Sequence, residues 1–307
     1  MTTVWLLGDA VVDLIPDGAH YLRCPGGAPA NVAVAIARLG GESAFIGKVG
    51  ADPFGRFMAR TLQAEGVATT ALYLDETQRT STVVVELDEH GERSFTFMVN
   101  PSADQFLTPA EIPHFAPGQW LHCCSIALLN EPSRSATHHA IAEIKRAGGF
   151  VSFDPNLRES LWPSRAAMLE QVRRVLAHCD VIKLSEEEAC LLAGQSALDE
   201  AIAQLRAQYP TALLLVTLGA QGAQVCFKAQ SAVIPSITVQ VVDTTGAGDA
   251  FVGGLLAALS QHAQWQNWET IVACVRQGAI CGALATTAKG AMSALPDSAA
   301  VQAQQES

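Results

Sequence analysis

The chain has 307 residues, 49% of them hydrophobic, enough apolar mass to bury a large core without disulfides or a metal. Its net charge of −11 and pI near 5.1 exclude a basic surface for nucleic acid or anionic lipid, so any phosphate must be met by local dipoles or cations. No apolar run reaches the ~18 residues of a membrane span. The eight cysteines (Cys24, Cys123, Cys124, Cys179, Cys190, Cys226, Cys274 and Cys281) have neither CxxC pairing nor zinc-type spacing with the histidines, and read as buried thiols in a reducing cytoplasm.

Val4 to Leu7 is the short apolar run of a buried parallel strand, closed by Gly8-Asp9. With Asp9 and Asp13 interrupting it and no basic region before it, this start reads as a first strand and not a signal peptide. Val11 to Ile15 and Tyr21 to Arg23, around the turn residues Pro16-Asp17-Gly18, predict a hairpin leaving the main sheet. Pro25 to Pro29 opens a helix from Ala30 to Leu39; a strand (Ala44 to Gly47) and a helix (Pro53 to Gln63) follow. From Thr80 the pattern turns β-branched and aromatic: Thr82 to Leu87, a turn at residues 88–92, then Arg93 to Val99, a second hairpin able to pair with the first as a small separate sheet.

Strand–helix alternation then resumes. Strands are expected at Trp120 to Cys124, Phe150 to Phe153, Val181 to Leu184 and Leu213 to Thr217, with helices at 134–147 and 164–177. A hairpin runs through Ala232, and two closing helices, roughly 250–260 and 268–285, flank a polar loop carrying tryptophan; the tail Val301 to Ser307 is expected to fray. This alternation implies a mostly parallel sheet, doubly wound and covered on both faces.

Chemistry concentrates in loops at the carboxyl ends of strands. The stretch Asp243 to Gly254, DTTGAGDAFVGG, bends at Gly246 and Gly248 and then enters an apolar helix, whose N-terminus faces an anion. Asp249 in its first turn is placed to accept a proton from an attacking hydroxyl, although a helix start stabilised by its own aspartate has the same appearance. Gly26-Gly27 precede a helix with Asn31 in its first turn, a donor and acceptor for a polyol; Asp13 lies in the first hairpin, as a ligand group or as an edge-strand charge. Asp154-Pro155-Asn156-Leu157-Arg158 offers Arg158 as a phosphate clamp. Ser185 and Glu188 fit a capping box, with Glu188 also able to hold a magnesium–water shell; Lys183 reaches a phosphate or is a solvated strand-end residue. Thr217 to Gly222 closes a strand with two glycines over which a nucleotide can lie, without matching a dinucleotide or Walker motif.

Together, GGAPANVAVAIARLGG (26–41) and DTTGAGDAFVGG (243–254) resemble the two signatures of the PfkB carbohydrate kinases, the ribokinase-like sugar kinases, and the similarity covers residues 3–296. Within that family, segments 8–16, 79–87, 91–97, 153–158 and 287–296 look most like bacterial fructokinases of sucrose metabolism, with aminoimidazole riboside kinases close behind. The resemblance implies one ribokinase-like α/β domain over 1–307, with a β lid from about 11–25 and 79–100. It implies transfer of the ATP γ-phosphate to a sugar hydroxyl, foremost fructose to fructose 6-phosphate, with aminoimidazole riboside or another nucleoside as the alternative acceptor. A sugar-binding regulator that has lost the chemistry is the third reading.

In the mechanism so implied, Asp249 is the general base and the amides of Gly246, Ala247 and Gly248 neutralise charge on the phosphoryl group. Asp13, Gly27 and Asn31 hold sugar hydroxyls, Phe97 lies against the ring, and Arg158 is near the transferred phosphate. Lys183, Glu188, Thr217, Gly219 and Gly222 match the nucleotide side, with Mg²⁺ held through water by Glu188. Potassium or another monovalent cation is implied beside Asp243 and the carbonyls of Thr245, Ala285, Ala288 and Gly290. Two positions depart from the family pattern: Ser185 replaces the asparagine of an Asn-x-x-Glu motif, and Ala279 stands where many relatives place an asparagine near adenine. A homodimer through the edges of the lid is a further expectation.

Overall fold

Short runs of Val, Leu, Ile and Phe, each buried on both sides, build the centre of the molecule. The computed structural model describes residues 2–87, 93–98 and 100–305. In chain order its first half contains β1 (Val4–Leu7), β2 (Val11–Asp17), β3 (His20–Gly26), α1 (Ala28–Arg38), β4 (Ser43–Gly50), α2 (Pro53–Ala64), β5 (Ala68–Asp75), β6 (Thr82–Leu87) and β7 (Arg93–Phe97). Next come β8 (Trp120–Cys123), α3 (Ser133–Arg146), β9 (Phe150–Phe153), α4 (Arg165–Leu176), β10 (Val181–Ser185), α5 (Glu186–Ala193) and α6 (Leu198–Gln208). The last elements are β11 (Leu213–Thr217), β12 (Ala223–Phe227), β13 (Gln230–Ile234), α7 (Ala247–Leu259), α8 (Trp268–Ala285) and α9 (Ser298–Gln305).

The main sheet has the order β13-β12-β11-β10-β9-β8-β1-β4-β5, parallel from β11 to β5 and antiparallel at β12 and β13. Alternation along each strand divides the core in two. Val4, Leu6, Leu213 and Leu215 join one apolar cluster with α1, α7 and α8, while Leu7, Leu214 and Val216 join the other with α3, α4 and α6. This is the doubly wound, mostly parallel architecture expected from the strand–helix alternation. A second sheet, β3-β2-β6-β7, joins the two predicted hairpins through a parallel β2–β6 pairing, Val12 to Thr82 and Leu14 to Val84. Its entry is anchored by Asp52, which caps α2 through the amides of Phe54 and Gly55 and also accepts from the amide and hydroxyl of Thr80 at 2.9 and 2.8 Å.

Four expectations are corrected. The first hairpin turns later than Pro16-Asp17-Gly18: Pro16 pairs with Tyr21 and Asp17 with His20, leaving a two-residue turn at Gly18-Ala19. β5 and α6 are elements beyond those expected from the sequence. β5 is an edge strand with mixed exposure and little apolar alternation, whereas α6 buries only Ala201, Ile202 and Leu205. The tail is helical through Gln305, because Val301 is buried in the core and Ser298 Oγ donates to Arg38 O at 3.3 Å. Cys24 and Cys190 are half-buried rather than buried. The predicted turn at residues 88–92 and the strand end at Val99 lie outside the described residues.

The tryptophan in the polar loop before α8 has a packing role. Trp265 is buried against Trp120, Phe150 and Phe227, with ring centroids 5.2, 5.7 and 6.2 Å away, and so locks that loop to the sheet.

Candidate active site

The helix that carries the second glycine signature is apolar all round: every residue of α7 from Asp249 to Leu259 is buried. Two small residues let its neighbours approach. A Cβ on Gly253 would lie 2.3 Å from that of Ala35 on α1, and one on Gly254 would lie 2.6 Å from Cys281 Sγ on α8. Close packing on α1 brings Asn31 to Asp249, and Asn31 Nδ2 donates to Asp249 Oδ2 at 2.8 Å. Much of the GDAFVGG sequence is therefore spent on seating α7 between α1 and α8.

At its N-terminus, Gly246 has φ +79, and a Cβ there would meet Ala291 Cα at 2.8 Å, so glycine is required on both counts. Of the three amides expected to meet a phosphoryl group, that of Ala247 donates to Thr244 O at 3.2 Å. The amides of Gly246 and Gly248 make no hydrogen bond among the described residues and are the ones left for an anion.

Asp249 is 9% exposed. Burial pushes its pKa up to about 6; the Asn31 amide pulls it down, the negative charge of Asp154 pushes it up, and Lys183 and Arg158 pull it down. This carboxylate is ionised at neutral pH yet basic enough to take a proton, a condition for general base catalysis. Lys183 is not the solvated strand-end residue its position allows. It is buried and donates to Asp154 Oδ2 at 2.8 Å, with Nζ 3.2 Å from where a Gly248 Cβ would stand. Burial works against its charge, but Asp154 and Glu188 outweigh burial and hold its pKa above the ordinary value.

Two cavities meet at the start of α7. One, of about 470 Å³, is lined by Asp249, Gly246, Lys183, Glu188, Asp154 and Arg158. The other, of about 430 Å³, is an apolar cleft bounded by Thr217, Gly219, Gly222, Val241, Phe251 and Ala279. Gly248 belongs to both. Residues drawn from five separate stretches of sequence, 154–158, 183–188, 217–222, 241–251 and 279, are thereby brought to one place.

Other predicted residues take more specific positions. Ser185 and Glu188 form the capping box: Ser185 Oγ accepts from Glu188 N at 3.2 Å, and Glu188 Oε2 accepts from Ser185 N at 2.9 Å. Glu188 Oε1 also accepts from Leu157 N at 2.8 Å, tying the loop after β9 to the first turn of α5. Burial, with the charge of Asp154, raises the Glu188 pKa. Arg158 is exposed and donates to Leu157 O at 3.1 Å. The space beside the first glycine pair is filled by the protein itself: a Cβ on Gly26 would meet Asp13 Oδ2 at 2.4 Å, and one on Gly27 would meet Asp9 O at 2.5 Å. Asp13 is half-buried on β2, and Phe97 lines a third, small cavity.

Asp243 accepts from the amide and hydroxyl of Thr245 at 3.0 and 2.7 Å and from the amide of Gly290 at 2.8 Å. The amides of Val242 and Asp243 donate to Thr286 O at 2.8 and 3.1 Å. The segments bearing Asp243, Thr245, Ala285, Ala288 and Gly290 are thus bound to one another at the C-terminal end of α8. Asp9, Asp104 and Gln105, for which no site role is expected from the sequence, are buried and line the same small cavity as Phe97.

A model of the pfkB family carbohydrate kinases matches residues 1–298. The chain belongs to this family. It is 58% identical over 294 residues to a fructokinase of Klebsiella pneumoniae, covering 95% of this chain and 96% of that one. An aminoimidazole riboside kinase of Salmonella typhimurium is 42% identical over 297 residues, covering 96% and 92%. Among solved structures, a fructokinase from Vibrio cholerae O395 in its fructose-, ADP- and calcium-bound form superposes with a TM-score of 0.94 at 58% identity, covering 99% of this chain and 98% of that one. The pfkB kinase fold thus accounts for both sheets and for the helix start that joins the two cavities.

Proposed function

We propose that the protein is a fructokinase, transferring the γ-phosphate of ATP to fructose to give fructose 6-phosphate. One arrangement carries this reading: the start of α7 opens both onto the charged cavity that holds Asp249 and onto the apolar cleft, so a sugar hydroxyl and a nucleotide can meet across Gly248. ATP is proposed to lie over Thr217, Gly219 and Gly222, with adenine among apolar groups; Ala279 offers adenine no side-chain hydrogen bond. Sugar hydroxyls are assigned to Asp13, Gly27 and the free Oδ1 of Asn31, which is buried without a partner among the described residues.

In the proposed reaction Asp249 takes the proton of the attacking hydroxyl while its oxygen bonds to the γ-phosphorus and ADP leaves. The amides of Gly246 and Gly248, with Lys183 and Arg158, meet the charge on the transferred group; Ala247 shapes the turn instead. Mg²⁺ fits the oxygens at the rim of this cavity: Asp154 Oδ1 is buried without a partner among the described residues, and Glu188 reaches the same space through water. That ion would neutralise charge on the ATP phosphates. Asp243 and the carbonyl end of α8, an all-oxygen set at a negative helix terminus, suit potassium.

Initial rates with fructose and with aminoimidazole riboside test the acceptor. Fructose is expected to have the higher kcat/KM by about 10²-fold or more. A riboside preferred over fructose overturns the assignment in favour of a nucleoside kinase, and ligand-induced stabilisation with no ADP released supports a regulator. The pH profile checks the base: since deprotonated Asp249 is the active form, kcat/KM should fall about tenfold per pH unit below about 6. A profile flat from pH 8 to pH 5 contradicts this role. We further propose a cytoplasmic homodimer that pairs through β3, an edge strand on which Tyr21 and Leu22 are more than half exposed.

A further inference from the structure

The loop that follows β9 carries an unusual backbone. Among the described residues, Asn156 and Lys228 are the two that have a positive φ, +47 and +52, without being glycine. Lys228 lies in the two-residue turn between Phe227 and Gln230, where hairpin geometry accounts for it. Asn156 belongs to no hairpin. It lines the charged cavity together with Leu157 and Arg158, opposite the start of α7. Glycine enters the left-handed region freely and asparagine at modest cost, whereas a β-branched side chain is strongly disfavoured there.

The chain on either side of Asn156 is pinned. Asp154 N donates to Cys123 O at 3.3 Å, and Asp154 Oδ2 accepts from Lys183 at 2.8 Å. Pro155 O accepts from Ser125 N at 2.9 Å. A proline ring fixes its own φ and holds the residue before it in extended backbone, so Asp154 and Pro155 have little freedom to turn. One residue past Asn156, Leu157 N donates to Glu188 Oε1 at 2.8 Å, and the Leu157 side chain packs on the second apolar cluster. The reversal from Ser125 on one side to Glu188 on the other therefore falls on Asn156. Its side chain makes no hydrogen bond among the described residues, so no local bond of the amide accounts for the conformation.

Arg158 is the next residue after this turn. It borders the cavity, and its positive charge is among the influences that lower the pKa of Asp249. The direction in which the chain leaves Asn156 decides where that guanidinium stands. Resting on the phosphotransferase reading above, we propose that Asn156 is a positioning residue for phosphoryl transfer, acting through its left-handed backbone, which aims Arg158 at the transferred group, and not through its amide. The Leu157–Glu188 bond holds the turn once it is made. A misdirected Arg158 costs rate more than affinity, because the charge it meets develops on the transferred group.

The test is a backbone series: initial rates of fructose phosphorylation by wild type, Asn156→Gly, Asn156→Ala and Asn156→Val. All three variants lack the amide, and they differ in how readily they take a positive φ. Asn156→Gly should keep kcat within about threefold of wild type, Asn156→Val should lose at least about tenfold with a smaller change in KM for fructose, and Asn156→Ala should fall between them. On an Arg158→Ala background the step from Asn156 to valine should cost no more than about twofold further, since the residue it positions is gone. Equal and large losses in all three variants would make the amide a ligand and overturn the proposal; near-wild-type kcat in all three overturns it as well. Should valine prevent folding, the order of glycine above alanine still decides. In each of these cases wild type phosphorylates fructose and the functional reading stands, whereas a wild-type protein inactive on every sugar would remove that reading and this proposal with it.

Discussion

Replacing Asp249 by asparagine is expected to lower kcat by about 10² to 10⁴, the range for loss of a positioned general base, while the protein stays folded. Asparagine keeps the shape and can still accept from Asn31, but it has no basicity with which to take a proton. The sign of the stability change separates chemistry from damage. Folding raises the Asp249 pKa from the ordinary 3.8 to about 6, so the folded state favours the protonated form. The stability linked to that shift is complete below about pH 4 and is lost as pH rises through about 6. At pH 7 the buried carboxylate is therefore a net cost, and a side chain that is neutral at every pH removes it. Thermal unfolding at pH 7 should place the Asp249→Asn midpoint at or above that of wild type. Near-wild-type turnover in this variant would refute the assigned base; a large fall in the midpoint would refute the account of its environment.

Removing one partner of the Lys183–Asp154 pair should give the largest loss of stability of any substitution in the site. Both side chains are less than 10% exposed, at 9% and 7%, and joined at 2.8 Å. Either Asp154→Leu or Lys183→Met strands the other charge in a low-dielectric interior, which costs about 3–5 kcal/mol. Removing both at once should restore most of that stability, because no unpaired charge remains. The double variant should still turn over poorly, having lost the cation beside Gly248. Urea denaturation of the two single variants and the double variant measures the cycle. Additive losses would mean that the pair is not coupled.

These two predictions differ in how far they can be read from the chain alone. Asp249 stands out in the sequence because glycines flank it and an apolar helix follows, and its place at a helix start is a local matter. The strands β1, β9 and β11 are likewise local: short β-branched or apolar runs bounded by polar loops, with the expected ends. β5 and α6 escape such reading because each buries few side chains, leaving only a weak periodic signal. The C-terminal helix escapes it too, since the anchor of that helix is a single valine packed onto distant elements.

The class of fold, the two glycine signatures and the carboxylate in the first turn of α7 are legible along the chain. Periodicity and turn chemistry act over a few residues, and a motif is legible when its parts are neighbours in the chain. What surrounds that carboxylate comes from long-range packing: Asn31, 218 positions away, is its hydrogen-bond partner, and Lys183 is held by Asp154 across 29 positions. The same holds for Gln105, whose side-chain nitrogen donates to Asp104 and whose Oε1 is buried without a partner among the described residues. Burial raises the pKa of Asp249 and of Glu188, and burial is a property of the packed interior that no stretch of sequence carries alone.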